Sequence, residues 1–287
     1  MAAQNLTNTK QDLIAALVQR ELTETATLVA NCRDWSSMAV KGAKQVEVPK
    51  LSQFTVQDRA FGAAAAENAP LTDATDVIAL DKNKIVLFGY DSKDALQSTI
   101  EYKAEAIKRA STAHGRQINN DILTEWTSIA GLDLASVADI TAANILSMRE
   151  FLMKNFADMS SVRLIVAADQ ERAMLELPEF SRYEYRGVGP APVINGQIGS
   201  VYGIPVQLNQ QVADGQAFMV APEGCGFAFQ DAPRVEEDKA LQYGTGGMQV
   251  AVDVLYGVGG LQLGEGVDLA GAPLGATLSP FVAKLAT

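Results

Sequence analysis

The sequence has one histidine and two cysteines in 287 residues, and acidic side chains outnumber basic ones to a net charge of −11. Each scarcity excludes something. A single histidine, His114, supplies neither a catalytic triad nor a zinc site without partners, and no partners accompany it in the sequence. Cys32 and Cys225 lie far apart. The N-terminus lacks a basic-then-apolar signal region, so a cytosolic product and two free thiols are expected, with neither a disulfide nor half of a metal site. An acidic surface repels nucleic acid, so any role beside DNA is containment without tight binding. No segment approaches the roughly 18 uninterrupted apolar residues of a membrane span. The greasiest C-terminal run, Val250 to Leu263, is cut by Asp253, Gly257, Gly259 and Gly260.

Cofactor signatures are equally scarce. Tyr243-Gly-Thr-Gly-Gly and Gly257-Val-Gly-Gly are glycine-rich, but no Gly-Lys-Ser/Thr follows either. Asp81-Lys-Asn-Lys opens like a calcium loop without its glycine or closing glutamate. Glu236-Glu237-Asp238 reads as a solvated turn. No acid/base pair or nucleophile–base pair stands out, so no enzyme, no cofactor and no metal are expected.

What is present is a folded composition, 48% hydrophobic and 20% charged, long enough for two modest domains or one large one. The organising stretch is Asp91 to Ile129. Asp91, Ser92 and Asp94 are helix-start residues. A stripe then runs through Leu96, Ile100, Ile107, Ala110, His114, Ile118, Ile122, Trp126 and Ile129, mostly three or four apart with a gap at Lys103. Gly115 is its one weak point. Roughly 38 helical residues make a rod of about 57 Å. A one-striped helix this long lies along a flat body or spans between subunits.

Before it, Thr9 to about Ala30 reads as a helix with Leu13, Ile14, Leu17, Val18, Leu22 and Val29 on one face. It is either an ordinary core helix or an arm that packs on a neighbour. Residues 31–90 read as an extended excursion. Gln45–Val48 alternates like a strand and stops at Pro49; Leu51, Phe54 and Val56 offer a second; Asp58 to Thr75 is a tip; Val77–Leu80 and Ile85–Phe88 return around a turn at 81–84. Such a two-stranded flap is marginal alone and needs something to lie on. After Gly131 the pattern is a helix from Asp139 to about Phe156, a buried strand at Val162–Ala167 and a short helix from Asp169 to Leu177. A loop at Pro178–Pro192 follows, then strands at Ile198–Val201, Pro205–Leu208 and Ala217–Ala221, with a hairpin turn at Asp214-Gly215. This block reads as a compact α/β domain. Long strands begin at Gly226, and 264–287 reads as a Gly/Ala/Leu tail.

That order of parts resembles the major capsid proteins of tailed bacteriophages, with their Hong Kong 97-type fold. Local stretches carry the resemblance. Val46-Glu-Val-Pro49 and Val77 to Phe88, running on to Asp91, look like the family's E-loop and the start of its spine helix. Asn195 to Val206, with Gly203-Ile-Pro-Val206, looks like its axial-domain turn. Gly224 to Gln230, Pro233-Arg-Val235 and Val252 to Val258 look like its closing strands. The resemblance implies an α+β chain with an N-arm at 1–43, an E-loop at 44–90, a peripheral (P) domain at 91–131 and 224–265, an axial (A) domain at 132–223 and a tail at 266–287.

It also implies a function: a coat protein that self-assembles into pentamers and hexamers of an icosahedral shell around double-stranded DNA, located in the virion capsid and assembled in the bacterial host's cytoplasm. Contacts between subunits are expected at Leu13, Leu17, Phe54, Arg59, Phe61, Lys82 and Lys84, and Tyr183, Tyr185 and Arg186 near a symmetry axis. The partners implied are further copies of the chain, a separate scaffolding protein, a portal and decoration proteins. Lys50, Lys82 and Lys84 lie in the flap without a matching acceptor or catalytic acid, so no Lys–Asn cross-linking is expected. An encapsulin-like compartment keeps the fold with another cargo, and an oligomeric α/β enzyme is the remote alternative.

Overall fold

A computed structural model describes residues 18, 20–22, 25–51, 58, 61, 73–91, 102–135, 139–177, 199–239, 247–262, 268–270 and 279–285. In chain order these form β1 (Arg33–Asp34), β2 (Gln45–Leu51), β3 (Asp73–Ala79), β4 (Lys82–Asp91), α1 (Tyr102–Ser128), β5 (Leu132–Leu134), α2 (Ala142–Lys154) and β6 (Arg163–Val166). Then come α3 (Ala168–Glu176), β7 (Ser200–Val201), β8 (Ile204–Leu208), β9 (Ala217–Val220), β10 (Cys225–Lys239), β11 (Gly247–Gly260) and β12 (Val282–Leu285).

Three sheets result: a long one ordered β1-β10-β11-β4, a six-stranded one ordered β5-β12-β9-β6-β8-β7, and the hairpin β2-β3. α1 binds the first two together. On its N-terminal half, Ile107 and Ala110 pack with Val250, Val252 and Val86 of the long sheet. Its C-terminal half enters one continuous core with both sheets, where Ile118, Ile122 and Trp126 meet Phe218 and Val220 on one side and Phe227 and Tyr256 on the other. The Trp126 and Phe218 ring centroids are 5.9 Å apart. A single apolar stripe serves two sheets. The stripe's gap has a cause: Lys103 forms an ion pair with Glu237 of β10.

Several expectations change. Asp91 ends β4, and the described part of the helix is 27 residues, about 40 Å long. Ser92, Asp94, Leu96 and Ile100 lie outside the described residues. β2 runs through Pro49, which pairs with Thr75 on a two-stranded ribbon where its missing N–H costs little. The apolar returns on either side of residue 81 do not pair with each other. β3 pairs with β2, and β4 crosses to β11. Asp214-Gly215 turns the chain without making a hairpin, because β6 sits between β8 and β9. The expected tail holds a buried strand, β12, between β5 and β9. Its Lys284 is buried, donates to the Thr127 carbonyl at 2.6 Å and faces Asp133 at 3.4 Å.

Candidate assembly surfaces

The arm begins on its own subunit. Val18 packs with Ile107 and Val252, and Leu22, Ala26 and Leu28 pack with Ile118 and Ile122. Of the two readings of this segment, the described residues between 18 and 31 favour packing on the chain's own body over an arm that leaves it. The close approach depends on Gly115: a methyl there would come within 2.6 Å of Thr25 Cβ. What reads locally as a weak point in a helix is the seat of another segment. Buried Asn119 then closes the joint. Leu28 N donates to its Oδ1 at 3.2 Å, and its Nδ2 donates to the Thr25 carbonyl at 3.0 Å and to Gln211 Oε1 at 3.1 Å. Gln211 Nε2 in turn donates to the Arg116 carbonyl at 2.8 Å. A buried amide with every group engaged specifies one docking position.

The flap's stem is also seated at home. Val46, Val48, Ile78 and Leu80 form a cluster with Ala39, Ala228 and Leu261. Gly226, Gly257 and Gly259 leave room for it: a methyl at Gly257 would collide with the Ala79 carbonyl and come within 2.9 Å of Leu80 Cδ2. Gln262 N donates to Asp76 at 2.7 Å. The flap therefore has a core at its base, which the hairpin alone could not supply.

The long sheet keeps one face open. On β4, Val86 and Phe88 turn to α1, while Ile85 and Leu87 are more than half exposed. Lys84 turns the other way, to 3.9 Å from Asp121 of its own α1. Asp121 also accepts from Tyr256 OH at 2.6 Å and Gln117 Nε2 at 2.8 Å; burial, with this bond, pushes the phenol's pKa far up.

Of the other residues expected at contacts, Phe61 is fully exposed and Lys82 is half-buried. Leu13, Leu17, Phe54, Arg59, Tyr183, Tyr185 and Arg186 lie outside the described residues. His114 is buried on the stripe, and its Nε2 donates to the Val252 carbonyl at 3.0 Å. Burial holds its pKa below the ordinary value, against that hydrogen bond and the nearby Asp253 charge. Cys32 and Cys225 are both buried and free, yet they meet: the parallel pairing of Arg33 with Gly226 brings them side by side. Their mutual hydrogen bond, then burial, raises the Cys32 thiol well above its ordinary value. Among the described residues no group of three or more His, Cys, Asp or Glu could hold a metal ion, and no helix is long and apolar enough to cross a membrane.

The fold as a whole matches solved phage structures. A structure from Mycobacterium phage Che8 matches with a TM-score of 0.68 at 16% identity, over 88% of this chain and 87% of that one. The capsid structure of the cyanophage P-SCSP1u matches at 0.63 and 12% identity, over 90% and 86%. The bacteriophage PhiM1 mature capsid matches at 0.63 and 13%, over 90% and 86%. No family model and no curated protein sequence matches the chain. The architecture is that of phage capsid subunits. More narrowly, it is the α+β Hong Kong 97-type capsid fold.

Proposed function

We propose that this chain is the major capsid protein of a tailed bacteriophage, which self-assembles into an icosahedral shell around double-stranded DNA. The observation that carries the reading is the fold match along about nine-tenths of the chain to capsid structures, at both ends of the comparison. It acts through assembly and has no catalytic role. Copies form pentamers and hexamers by heterologous contacts, and small energies per contact multiply over the shell. It works in the virion capsid after assembly in the host cytoplasm, with a separate scaffolding protein, a portal and decoration proteins as partners.

The division of labour follows the expected parts: N-arm at 1–43, E-loop from 44, P-domain around α1 and the long sheet, A-domain at 132–223. The pairing of β4 with β11 supports moving β4 into the P-domain, and that of β12 with β9 supports joining Val282–Leu285 to the A-domain. Leu13, Leu17, Phe54, Arg59, Phe61 and Lys82 make contacts between subunits, together with the open face at Ile85 and Leu87. Lys84 joins these contacts from the opposite face of β4, beside Asp121. Tyr183, Tyr185 and Arg186 lie near the axis. The acidic balance suits a wall that confines DNA without gripping it.

Contents test the reading. Particles purified from the natural source and treated with nuclease are expected to release protected double-stranded DNA. Particles that hold protein cargo and no DNA would make the chain a compartment shell and overturn the viral assignment.

A further inference from the structure

Cys32 and Cys225 are the only cysteines in the chain, and the fold sets them side by side. β1 and β10 run parallel, with Arg33 opposite Gly226 and Asp34 opposite Phe227. Each cysteine stands one residue before the first of these pairs. Both have extended backbones, Cys32 with φ −112° and ψ 154° and Cys225 with φ −142° and ψ 131°, so the register of the ladder carries on to them. Paired strands lie about 4.8 Å apart, inside the Cα separation of roughly 4.4–6.8 Å that a disulfide spans. Both side chains enter the core beneath α1, in the company of Trp126, Phe227 and Tyr256. There the two thiols hydrogen-bond to each other.

Two adjacent thiols have few chemical uses. Among the described residues no third metal-ligating side chain joins them, so they do not make a metal site. Neither is placed as a nucleophile: Cys225 has no exposed surface and Cys32 only 7%. What remains is a bond between them, and its location gives that bond a purpose. β1 is two residues long and forms an edge of the long sheet, where the N-terminal segment joins the body. Beyond the short ladder it is held by single bonds such as Trp35 N to the Phe227 carbonyl at 2.8 Å. A covalent link from residue 32 to residue 225 fastens that weak edge to β10, which is paired on its other side with β11.

We propose that Cys32 and Cys225 are an oxidation site: they close an intramolecular disulfide that staples the N-terminal segment to the long sheet once an external low-molecular-weight disulfide reaches them. The Cys32 thiolate attacks the external disulfide, forming a mixed disulfide and expelling one small thiolate. The Cys225 thiolate then attacks the Cys32 sulfur and expels the second. Two protein thiols are oxidised and one external disulfide is reduced to two thiols; the two protons lost by the cysteines are matched by two taken up by the leaving thiolates. Burial sets the gate. Cys32 is reached through local opening of the short β1 edge, so the pair stays reduced in a reducing cytoplasm and closes slowly outside it. Only that timing rests on the capsid reading; the bond itself does not.

The test incubates the purified full chain with hydroxyethyl disulfide in mildly alkaline buffer, with and without urea just below the unfolding transition, then denatures it and labels it with N-ethylmaleimide. Untreated protein is expected to take two labels and treated protein none, with a Cys32 peptide joined to a Cys225 peptide within a monomeric chain. The link closes a loop of roughly 190 residues, so the melting temperature is expected to rise by about 5–9 °C and to fall back with dithiothreitol. Cys225→Ser gives neither the link nor the rise. Two labels on treated protein in both buffers would overturn the site. So would a mixed disulfide on Cys32 that Cys225 fails to resolve, or a link found only between chains. A link that leaves the melting temperature unchanged would remove the staple. Shells in the electron microscope score the capsid reading separately. A closed bond without shells keeps the site and removes its timing; shells whose cysteines stay reduced in both buffers keep the capsid and remove the site.

Discussion

Truncating Ile78 tests where the flap is anchored. Ile78 has no exposed surface and lies over Gly226 and Gly259, where an added methyl on either would press into it. Ile78→Ala removes three carbons from a closed seat. At about 0.8 kcal/mol per buried methylene the transfer loss is roughly 2–2.5 kcal/mol. The backbone glycines cannot swing in to fill the hole, so the unrelieved cavity brings the cost to about 3–4 kcal/mol. In an isolated protomer of this size that lowers the thermal midpoint by on the order of 10 °C. The assay is thermal unfolding of dilute, unassembled protein, followed by circular dichroism. If the flap were held only by a neighbouring copy, the unassembled protomer would not notice the change. A midpoint within about 1–2 °C of wild type, a change of about 0.5 kcal/mol or less, would therefore refute the home-seated stem.

Three further outcomes follow from buried groups. Gly115→Ala improves helix propensity by about 1 kcal/mol yet is expected to destabilise by about 1–3 kcal/mol, because the methyl meets Thr25; with Thr25→Gly the two costs do not add, and a simple gain in urea resistance would mean the arm is not docked there. His114 has a folded-state pKa below its ordinary 6.5, so the unfolded chain takes the proton first and stability falls as pH drops below that value; His114→Gln should flatten this part of a pH–stability profile, and an unchanged slope would assign it to carboxylates. The raised Cys32 pKa works in the opposite direction. It stabilises the folded chain below the thiol's ordinary 9.0, and this contribution declines above it. At neutral pH both thiols should resist alkylation until denaturant is added, and rapid labelling of native protein would contradict the buried pair.

Local pattern made much of this molecule legible. The stripe from Ile107 to Ile129 is buried as its spacing predicts, and Thr141 caps α2 through the bond from Asn144 N at 3.3 Å. The Gly203 turn and the long strand β11 also read directly, but Glu236-Glu237-Asp238, expected as a solvated turn, lies inside β10, paired with Ala251, Val250 and Gln249. Partnership was less legible, because a strand's alternation fixes its faces and says nothing about which strand lies beside it. β3 and β4 are adjacent in sequence and lie in different sheets for that reason. β12 hid because it is four residues long with a lysine inside, and only the Thr127 carbonyl and Asp133, distant in sequence, make that lysine tolerable. Gly115, Asn119 and the glycines under Ile78 serve contacts between remote segments, so each looks unremarkable in its own window. The meeting of Cys32 and Cys225 carries no sequence signal either; the pairing of β1 with β10 alone brings them together.

Assembly is tested by negative-stain electron microscopy of the purified protein, expressed alone and taken from its natural source. Closed icosahedral shells are expected, with DNA inside those from the natural source. Small, discrete oligomers from both sources would contradict it and leave the capsid fold without the capsid function.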